Sequence, residues 1–370
     1  MPSHFRVPFV NLGLQYKGLR DQIIAEIDRI SLVGQYVGSE DVPRFEKSFA
    51  AYCGTAEAVA VGNGGDALCL TLLALGVGPE HEVIVPANSF VASAWAVTGC
   101  GAKVVFVDVA EDYNLDPAQV ERALTSRTKA IMPVHLTGRP AAMNEILQIA
   151  NQRGLFVVED AAQAVGATYH GRKVGSLGNA GCFSLHPLKN LHVLGDGGVI
   201  TLNDTKLAAK LRQWRNHGLK NRDECVFWGR NSRLDSIQAA IANLKLPLLD
   251  RWNQRFRDIA AYYSRELAQV VKVPVEHAFE KSVYHRYVIT SPDRDGLQKY
   301  LHEHGIESKV NYPIPLHLQE AAHGYKKGDF PVTERLAQTI LSLPIYSEMT
   351  DAQTELVVSE VKKYFRRSGQ

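Results

Sequence analysis

Short runs of apolar, often β-branched residues alternate with amphipathic segments along the first two-thirds of the chain. The apolar runs predict strands, and segments in which apolar residues recur every three or four positions predict helices. The predicted strands cover residues 58–61, 82–88, 103–109, 129–136 and 154–161, and the predicted helices cover 66–76, 116–124 and 141–154. Strands that alternate with helices predict an α/β fold, in which helices cover both faces of a mostly parallel sheet.

The pattern changes after Asp204, where helical segments become more frequent. A long helical run at 234–267 contains Pro247, which should interrupt it because proline cannot donate a backbone hydrogen bond. The other elements predicted in this part are helices at 205–218, 294–305, 334–344 and 351–365 and a strand at 284–290. The change predicts a large α/β domain over residues 1–245 and a small α+β domain over residues 246–370.

Length and composition restrict the class of protein further. The 370 residues, 45% hydrophobic and 22% charged, have the balance of a globular chain that is long enough for two domains. A formal net charge of +2 gives no reason to expect nucleic acid as a partner. The five cysteines are widely spaced and lack a CxxC pair, and no apolar run reaches the membrane-spanning length of about 18 residues. We therefore expect a cytoplasmic protein without a structural metal and without a membrane segment.

The first candidate site is the segment VGNGGDAL, in which a predicted strand runs into two glycines and then into a helix. Free backbone N–H groups at a helix start bind anions, and Gly64 and Gly65 allow a phosphate to approach the backbone closely. A simple strand-to-helix turn with Asp66 as the helix cap is the alternative. The GxGxxG spacing of dinucleotide-binding proteins is absent.

Two further segments carry polar groups at the ends of apolar runs. FVVEDAAQA ends a predicted strand at Asp160, with Gln163 close behind, and ligands of open α/β sheets bind where strands end. FSLHPLKNLHVLGDGG contains Ser184 and a single lysine, Lys189, among apolar and ring residues. Alternatively, Asp160 caps a following helix and Lys189 lies on the surface.

Taken together, the three segments match the requirements of one ligand. A glycine-rich helix start suits a phosphate, a strand-end carboxylate suits a positively charged ring nitrogen, and a desolvated lysine suits imine formation with an aldehyde. Pyridoxal 5'-phosphate needs all three groups in one pocket.

The chain resembles the DegT/DnrJ/EryC1/StrS family of sugar aminotransferases, which have the aspartate-aminotransferase fold: a large domain with a seven-stranded sheet and a smaller α+β domain. The resemblance covers nearly the whole length. It is carried by VPFVNL, RFEKSFAAYCG, VGNGGDAL, VPANSFVASA, PVHLTGRPAAM, VEDAAQAVGA, FSLHPLKNLHVLGDGG, NSRLDSIQAAI, VNYPIPLHLQ and LSLPIY.

The resemblance implies roles for individual residues. Lys189 resembles the lysine that forms a Schiff base with pyridoxal phosphate and carries the proton, and Asp160 resembles the residue that pairs with the pyridinium nitrogen. The other implied cofactor-binding residues are Gln163 near the ring's 3-hydroxyl, Phe90 stacked on the ring, Gly64, Gly65 and Ser184 at the phosphate, and Asn231, which reaches the phosphate in the partner subunit of a homodimer.

Some positions depart from the family's pattern. Gly65 stands where family members commonly have threonine, so backbone N–H groups must replace one hydroxyl at the phosphate. Thr137 and Ser232 replace frequent aromatic residues, and Asn311 replaces a frequent histidine. With Asn311, the candidate substrate-binding residues are His186, for which packing is the alternative, and His317, for which a structural role is the alternative.

The resemblance implies that an amino group is transferred from an amino acid to a keto sugar by a ping-pong mechanism. L-glutamate is the expected donor, and the keto sugar is expected to be nucleotide-linked. A sugar dehydratase and an amino-cyclitol aminotransferase with the same fold are the alternatives. Dehydratase relatives replace the Schiff-base lysine with histidine, so Lys189 favours transamination.

Overall fold

The computed structural model describes residues 5–368 of the chain. Its strands are β1 (Glu57–Val61), β2 (Glu82–Pro86), β3 (Lys103–Val107), β4 (Thr128–Ile131), β5 (Phe156–Asp160), β6 (Thr168–Tyr169), β7 (Arg172–Lys173), β8 (Ala180–Ser184), β9 (Gly198–Leu202), β10 (Glu280–Lys281), β11 (Tyr287–Thr290) and β12 (Ile340–Leu343). Its helices are α1 (Leu12–Val33), α2 (Asp41–Cys53), α3 (Gly64–Ala74), α4 (Val91–Thr98), α5 (Pro117–Ala123), α6 (Met143–Arg153), α7 (Thr205–Trp214), α8 (Ser236–Lys245), α9 (Leu249–Leu267), α10 (Arg294–Glu303), α11 (Pro331–Thr339) and α12 (Asp351–Ser368).

Seven strands form the main sheet in the order β1-β9-β8-β5-β4-β2-β3. Only β9 runs antiparallel to its neighbours, so the carboxyl ends of the other six strands meet at one edge. Side chains of α3 and α4 pack on one face and side chains of α2 and α8 on the other. This burial on both faces explains why the strands are continuously apolar, and it confirms the predicted α/β class.

The loops that follow β1, β2, β5 and β8 all leave the sheet at that common edge. The glycine pair follows the first of these loops at the start of α3, Phe90 and Lys189 lie in the second and fourth, and Asp160 is the last residue of β5, immediately before the third. Segments that are far apart in the sequence therefore become neighbours because they follow parallel strands, which is where ligands of open α/β sheets bind.

Most predicted elements are present with small shifts at their ends. The long helical run is interrupted as predicted, since a short 3₁₀ turn around Pro247 separates α8 from α9. The prediction of a helix over 334–344 is wrong in its second half. The helix ends at Thr339 and the buried Ile340–Leu343 pairs with β11, because these apolar residues complete a small antiparallel sheet.

A second difference concerns α7, which ends at Trp214 although the sequence predicts an end at Gly218. The chain instead forms an irregular segment, and His217 and Gly218 both have positive φ angles, 61° and 78°. The helices α1 and α2 near the N-terminus were not predicted.

The C-terminal part has an apolar cluster of its own. Tyr263, Tyr287, Leu301 and Val361 belong to it, and Val7 from the N-terminal segment packs into the same cluster. We propose that this cluster is the core of a small domain and that the division from the large domain lies at residues 245/246. Within residues 5–368, no helix is both long and apolar enough to cross a membrane.

Candidate active site

A cavity of about 1250 Å³ lies at the carboxyl edge of the main sheet. Nine of the eleven residues that the sequence nominates line it, namely Gly64, Gly65, Phe90, Asp160, Gln163, Ser184, His186, Lys189 and Asn311. Asn231 and His317 are not among the lining residues.

The start of α3 forms a tight cradle at one end of the cavity. The side chain of Asn63, not Asp66, caps the helix, since its Oδ1 accepts from the N–H of Asp66 at 2.8 Å. A Cβ added to Gly64 would lie 2.7 Å from Cβ of Ser184, so only glycine fits there. The first-turn N–H groups and the Ser184 hydroxyl thus line the same end of the cavity, an arrangement suited to an anion.

Ser232 supports this cradle from behind. Its hydroxyl accepts from the N–H of Gly62 at 3.0 Å and donates to Oδ2 of Asp66 at 2.6 Å. Ser232 itself is buried. The serine that departs from the family pattern therefore fixes the loop before the helix, so Asp66 acts as a hydrogen-bond acceptor behind the cradle.

Asp160 lies at the end of β5 and is only 6% exposed. Oδ2 accepts from the hydroxyl of Ser93 at 2.7 Å, and Oδ1 accepts from the N–H of Ala162 at 3.2 Å. Desolvation raises the pKa of this carboxyl, although both hydrogen bonds and the charge of Lys189 oppose the increase. A cationic N–H group in the cavity would offset the cost of burying the carboxylate.

Gln163 and Phe90 lie on either side of Tyr312. Gln163 accepts from the N–H of Thr137 at 2.9 Å and donates through Nε2 to the hydroxyl of Tyr312 at 3.2 Å. Phe90 is 53% exposed at the start of α4, and its ring centroid lies 5.8 Å from that of Tyr312. The cavity therefore has an aromatic wall beside a fixed amide.

Lys189 lies in the turn after β8 and is partly buried. Its N–H donates to the carbonyl of His186 at 2.8 Å, and its carbonyl accepts from Nδ1 of His192 at 3.0 Å. Desolvation and the nearby charge of Arg286 lower the pKa of the Lys189 amine to about 8, while Asp160 opposes this change. About a tenth of the amine is therefore unprotonated at pH 7, far more than for an ordinary lysine.

The two remaining cavity-lining candidates differ in their surroundings. His186 is exposed, and its Nδ1 accepts from the N–H of Leu188 at 3.2 Å. Asn311 is partly buried, and in the described structure its Oδ1 is buried without a hydrogen-bond partner. An unpartnered carbonyl oxygen at a cavity wall is available to a ligand hydroxyl.

His317 and Asn231 lie elsewhere. His317 is 1% exposed, its Nε2 lies 3.0 Å from Oε1 of Glu334, and its ring packs against Phe330. This geometry supports the structural role that the sequence left open as the alternative. Asn231 is exposed, and it directly precedes the supporting Ser232.

Trp95, Arg286 and Tyr312 are among the cavity-lining residues that sequence reasoning missed. Arg286 stands in the apolar run YHRYVIT, where a single cation among β-forming residues is the signal that could have nominated it. Trp95 and Tyr312 carry no such signal, because aromatic residues pack in cores far more often than they line ligand sites.

The model of the DegT/DnrJ/EryC1/StrS aminotransferase family matches residues 18–362 of the chain. The chain belongs to this family. The family assignment, the α/β fold and the prediction of an aminotransferase are thereby confirmed.

Individual relatives are similar over almost their entire length. A pleiotropic regulatory protein of Geobacillus stearothermophilus is 44% identical over 97% of this chain and 99% of its own. The dTDP-3-amino-3,4,6-trideoxy-alpha-D-glucose transaminase of Streptomyces venezuelae is 41% identical over 99% of this chain and 98% of its own. The crystal structure of S. venezuelae DesV in complex with a ketimine intermediate matches with a TM-score of 0.95 and 41% identity, over 97% of this chain and 98% of that chain.

Proposed function

We propose that this member of the aminotransferase family transfers an amino group from an amino acid, L-glutamate, to a nucleotide-linked keto sugar with the aid of pyridoxal 5'-phosphate. One observation carries the proposal. Lys189, whose pKa is lowered to about 8, lines the same cavity as the carboxylate of Asp160 and the glycine-rich start of α3.

The residues of the cavity fit the cofactor. The cradle beside Ser184 presents N–H groups where only glycine can stand, as a phosphate requires. The buried Asp160 lacks a cationic partner in direct contact among the described residues, and a ring N–H⁺ would supply one. Phe90 presents an exposed ring for stacking, and Gln163 is held in place beside it.

Asp160, Gln163, Phe90, Gly64, Gly65 and Ser184 would hold the cofactor. When bound, the cofactor supplies an electron-withdrawing ring that acidifies the α-hydrogen of the amino donor. Asp160 would keep the ring nitrogen protonated, because a buried carboxylate stabilises a neighbouring cation.

Lys189 is the proton carrier in this proposal. An amine with a pKa of about 8 exists in both protonation states near neutral pH. It can therefore accept a proton from the donor's α-carbon and then donate that proton to a neighbouring reacting atom. The hydrogen bonds of its backbone to His186 and His192 fix the turn that carries it. Its side chain lines the cavity.

Two features support the proposed sugar substrate. The cavity of about 1250 Å³ exceeds the volume typical for a single drug-sized ligand, which leaves room for a sugar beside the cofactor. The similar protein of S. venezuelae acts on a dTDP-linked amino sugar. His186 and Asn311 are the proposed contacts of this chain with the sugar.

We further propose that the chain works in the cytoplasm as a homodimer with shared active sites. Asn231 is exposed and does not line the cavity of its own chain, which is what a residue that serves the partner's phosphate site requires. Symmetric dimers are the commonest assemblies of soluble enzymes.

The test is a two-step assay on the purified holoenzyme. L-glutamate is added first and removed, and a panel of nucleotide-linked keto sugars and keto cyclitols follows. We expect mass spectrometry to find a product in which a carbonyl has become an amine. A product that has lost oxygen without gaining nitrogen would indicate a dehydratase instead. Amination of a keto cyclitol and of no keto sugar would identify the cyclitol as the substrate. The matched Lys189→Ala protein should give no product.

A further inference from the structure

Arg286 is a partly buried cation beside Lys189, and it lines the active-site cavity. Its Nη1 donates to the carbonyl of its neighbour His285 at 3.2 Å, and its guanidinium lies 4.9 Å from the ring centroid of Phe9. These contacts orient the side chain, but neither of them provides a negative charge.

The other partly buried arginines of the described structure are all paired with a carboxylate. Their ion pairs are Arg139–Glu280, Arg212–Glu57, Arg215–Glu46, Arg255–Asp351, Arg257–Glu276 and Arg294–Asp295. Among residues 5–368, Arg286 forms no such pair. Because an uncompensated buried charge is costly, this exception indicates a site at which an anion is supplied by a ligand.

The electrostatic effects around Arg286 agree with an unpaired charge. Burial lowers the pKa of the Arg286 guanidinium to about 10. The charge of Arg286 also contributes to the lowered pKa of Lys189 and opposes the increase of the Tyr312 pKa, so its field extends into the cavity.

The proposed cofactor does not supply the missing anion. Gly64, Gly65 and Ser184 would hold its phosphate, and Asp160 would pair with its ring nitrogen. A substrate group is therefore the remaining source. Carboxylates and phosphates both suit a guanidinium, because two parallel N–H groups can donate to two oxygens, and of the two only a carboxylate is bonded directly to the reacting carbon of an amino donor.

We propose that Arg286 binds a carboxylate of the substrate. The proposal rests on the proposed function, because the carboxylate belongs either to the amino donor or to an acidic keto sugar. Tyr312 lies next to this site. Its hydroxyl accepts from Gln163, so its own hydrogen remains available to a substrate oxygen.

Binding of unreactive carboxylates tests the proposal without any turnover. Glutarate represents the donor and glucuronate represents an acidic sugar, and calorimetry measures the Kd of each for the holoenzyme. We expect Arg286→Met to raise the Kd of at least one of them by about 10-fold or more, the effect of losing a charge-assisted hydrogen bond. Arg286→Lys should recover part of the loss, because it restores the charge but not the planar fork.

Arg153→Met is the matched control, because Arg153 is an exposed arginine at the end of α6 that does not line the cavity, and its removal changes the net charge equally. It should leave both Kd values within about twofold of wild type, because exposed charges are screened. The proposal is overturned if Arg286→Met also leaves both values within that range, or if Arg153→Met raises them as much as Arg286→Met does.

The two half-reactions then identify the source of the carboxylate. If it belongs to the donor, Arg286→Met lowers kcat/KM for glutamate and leaves kcat/KM for a neutral keto sugar unchanged. If it belongs to the sugar, only kcat/KM for a keto uronate falls. An equal fall for the neutral keto sugar would indicate a structural role and overturn the proposal. Failure of the proposed function is recognised separately, as a wild-type holoenzyme that does not transfer the amino group of glutamate.

Discussion

The hydroxyl of Ser93 donates a hydrogen bond of 2.7 Å to Oδ2 of Asp160, across the carboxyl edge of the sheet. Ser93 is fully buried on α4 and Asp160 ends β5, so the bond joins the aromatic side of the cavity to its acidic side. It is the shorter of the two bonds that hold the carboxylate. Ser93 is therefore a positioning residue for Asp160.

We expect Ser93→Ala to weaken cofactor binding and to lower kcat by about tenfold each, the usual range for a lost hydrogen bond to a charged group. The pKa of Asp160 should rise further, because Ser93 opposes the increase that burial causes. Titration of the bound cofactor's absorbance measures the effect. Ser89→Ala is the control, since the hydroxyl of Ser89 lies 2.7 Å from that of Ser93 and its loss leaves the bond to Asp160 in place. Equal effects of the two changes would contradict the assigned role.

The contact between Gly64 and Ser184 gives a second prediction. A Cβ on Gly64 would come within 2.7 Å of Cβ of Ser184, so Gly64→Ala must displace one side of the cradle. We expect a loss of stability of about 1–3 kcal/mol, as for other overpacked sites. The Kd of pyridoxal phosphate should increase more than tenfold, measured by fluorescence titration of the cofactor-free protein.

Gly18→Ala is the control for this change. Gly18 lies inside α1 with no atom within 4 Å of an added Cβ, so alanine there should stabilise the helix by about 0.5–1 kcal/mol. Cofactor affinity should be unaffected. If Gly64→Ala binds the cofactor as tightly as Gly18→Ala does, the phosphate site is not at the start of α3.

The sequence allowed the cavity's main groups to be predicted because their chemistry is local. Asp160 and Lys189 each stand at the end of an apolar run, and parallel strands bring such ends together. The role of Arg286 follows instead from the lack of an ion pair among residues 5–368, and that of His317 depends on a distant partner. The hydrogen bond between His317 and Glu334 spans 17 positions, and no pattern around His317 predicts it. The sequence predicts a helix at the strand Ile340–Leu343 because a short apolar run fits both the helical and the strand periodicity.

The lowered pKa of Lys189 predicts a pH dependence. In the cofactor-free protein, labelling of Lys189 by acetic anhydride should be half-maximal near pH 8, more than two units below the ordinary lysine value of about 10.4. The pKa of Lys189 is lower in the folded protein than in the unfolded protein. At pH values between these two pKa values, the unfolded state therefore binds more protons, and the stability that the neutral amine confers rises with pH. Peptide mapping by mass spectrometry measures the labelling, and the stability difference from Lys189→Met checks the linkage. Half-maximal labelling near pH 10 would contradict the desolvated site.

Substitution of His317 distinguishes a structural role of this residue from a substrate-binding role. We expect His317→Leu to destabilise the protein by about 1–3 kcal/mol, because Glu334 would lose a partner in a buried site. His317 is one of the groups that keep the pKa of Glu334 low. KM for both substrates should stay within about twofold of wild type. Thermal unfolding and steady-state kinetics measure the two effects, and a large rise in KM for the sugar without loss of stability would restore the substrate-binding role predicted from the sequence.

The last prediction concerns Asn231, which is exposed and lies outside the cavity of its own chain. If Asn231 serves the partner's phosphate site, each active site takes Lys189 from one subunit and Asn231 from the other. Asn231→Asp and Lys189→Ala then remove residues that different subunits contribute to the same site. Asn231→Asp alone should be nearly inactive, because a carboxylate there repels the phosphate.

When equal amounts of the two inactive proteins are unfolded and refolded together, half of the dimers are mixed and each mixed dimer has one site with both native residues. Activity should therefore recover to about a quarter of wild type. Each protein refolded alone is the control, and a mixture that stays inactive would show that Asn231 acts within its own subunit or not at the phosphate.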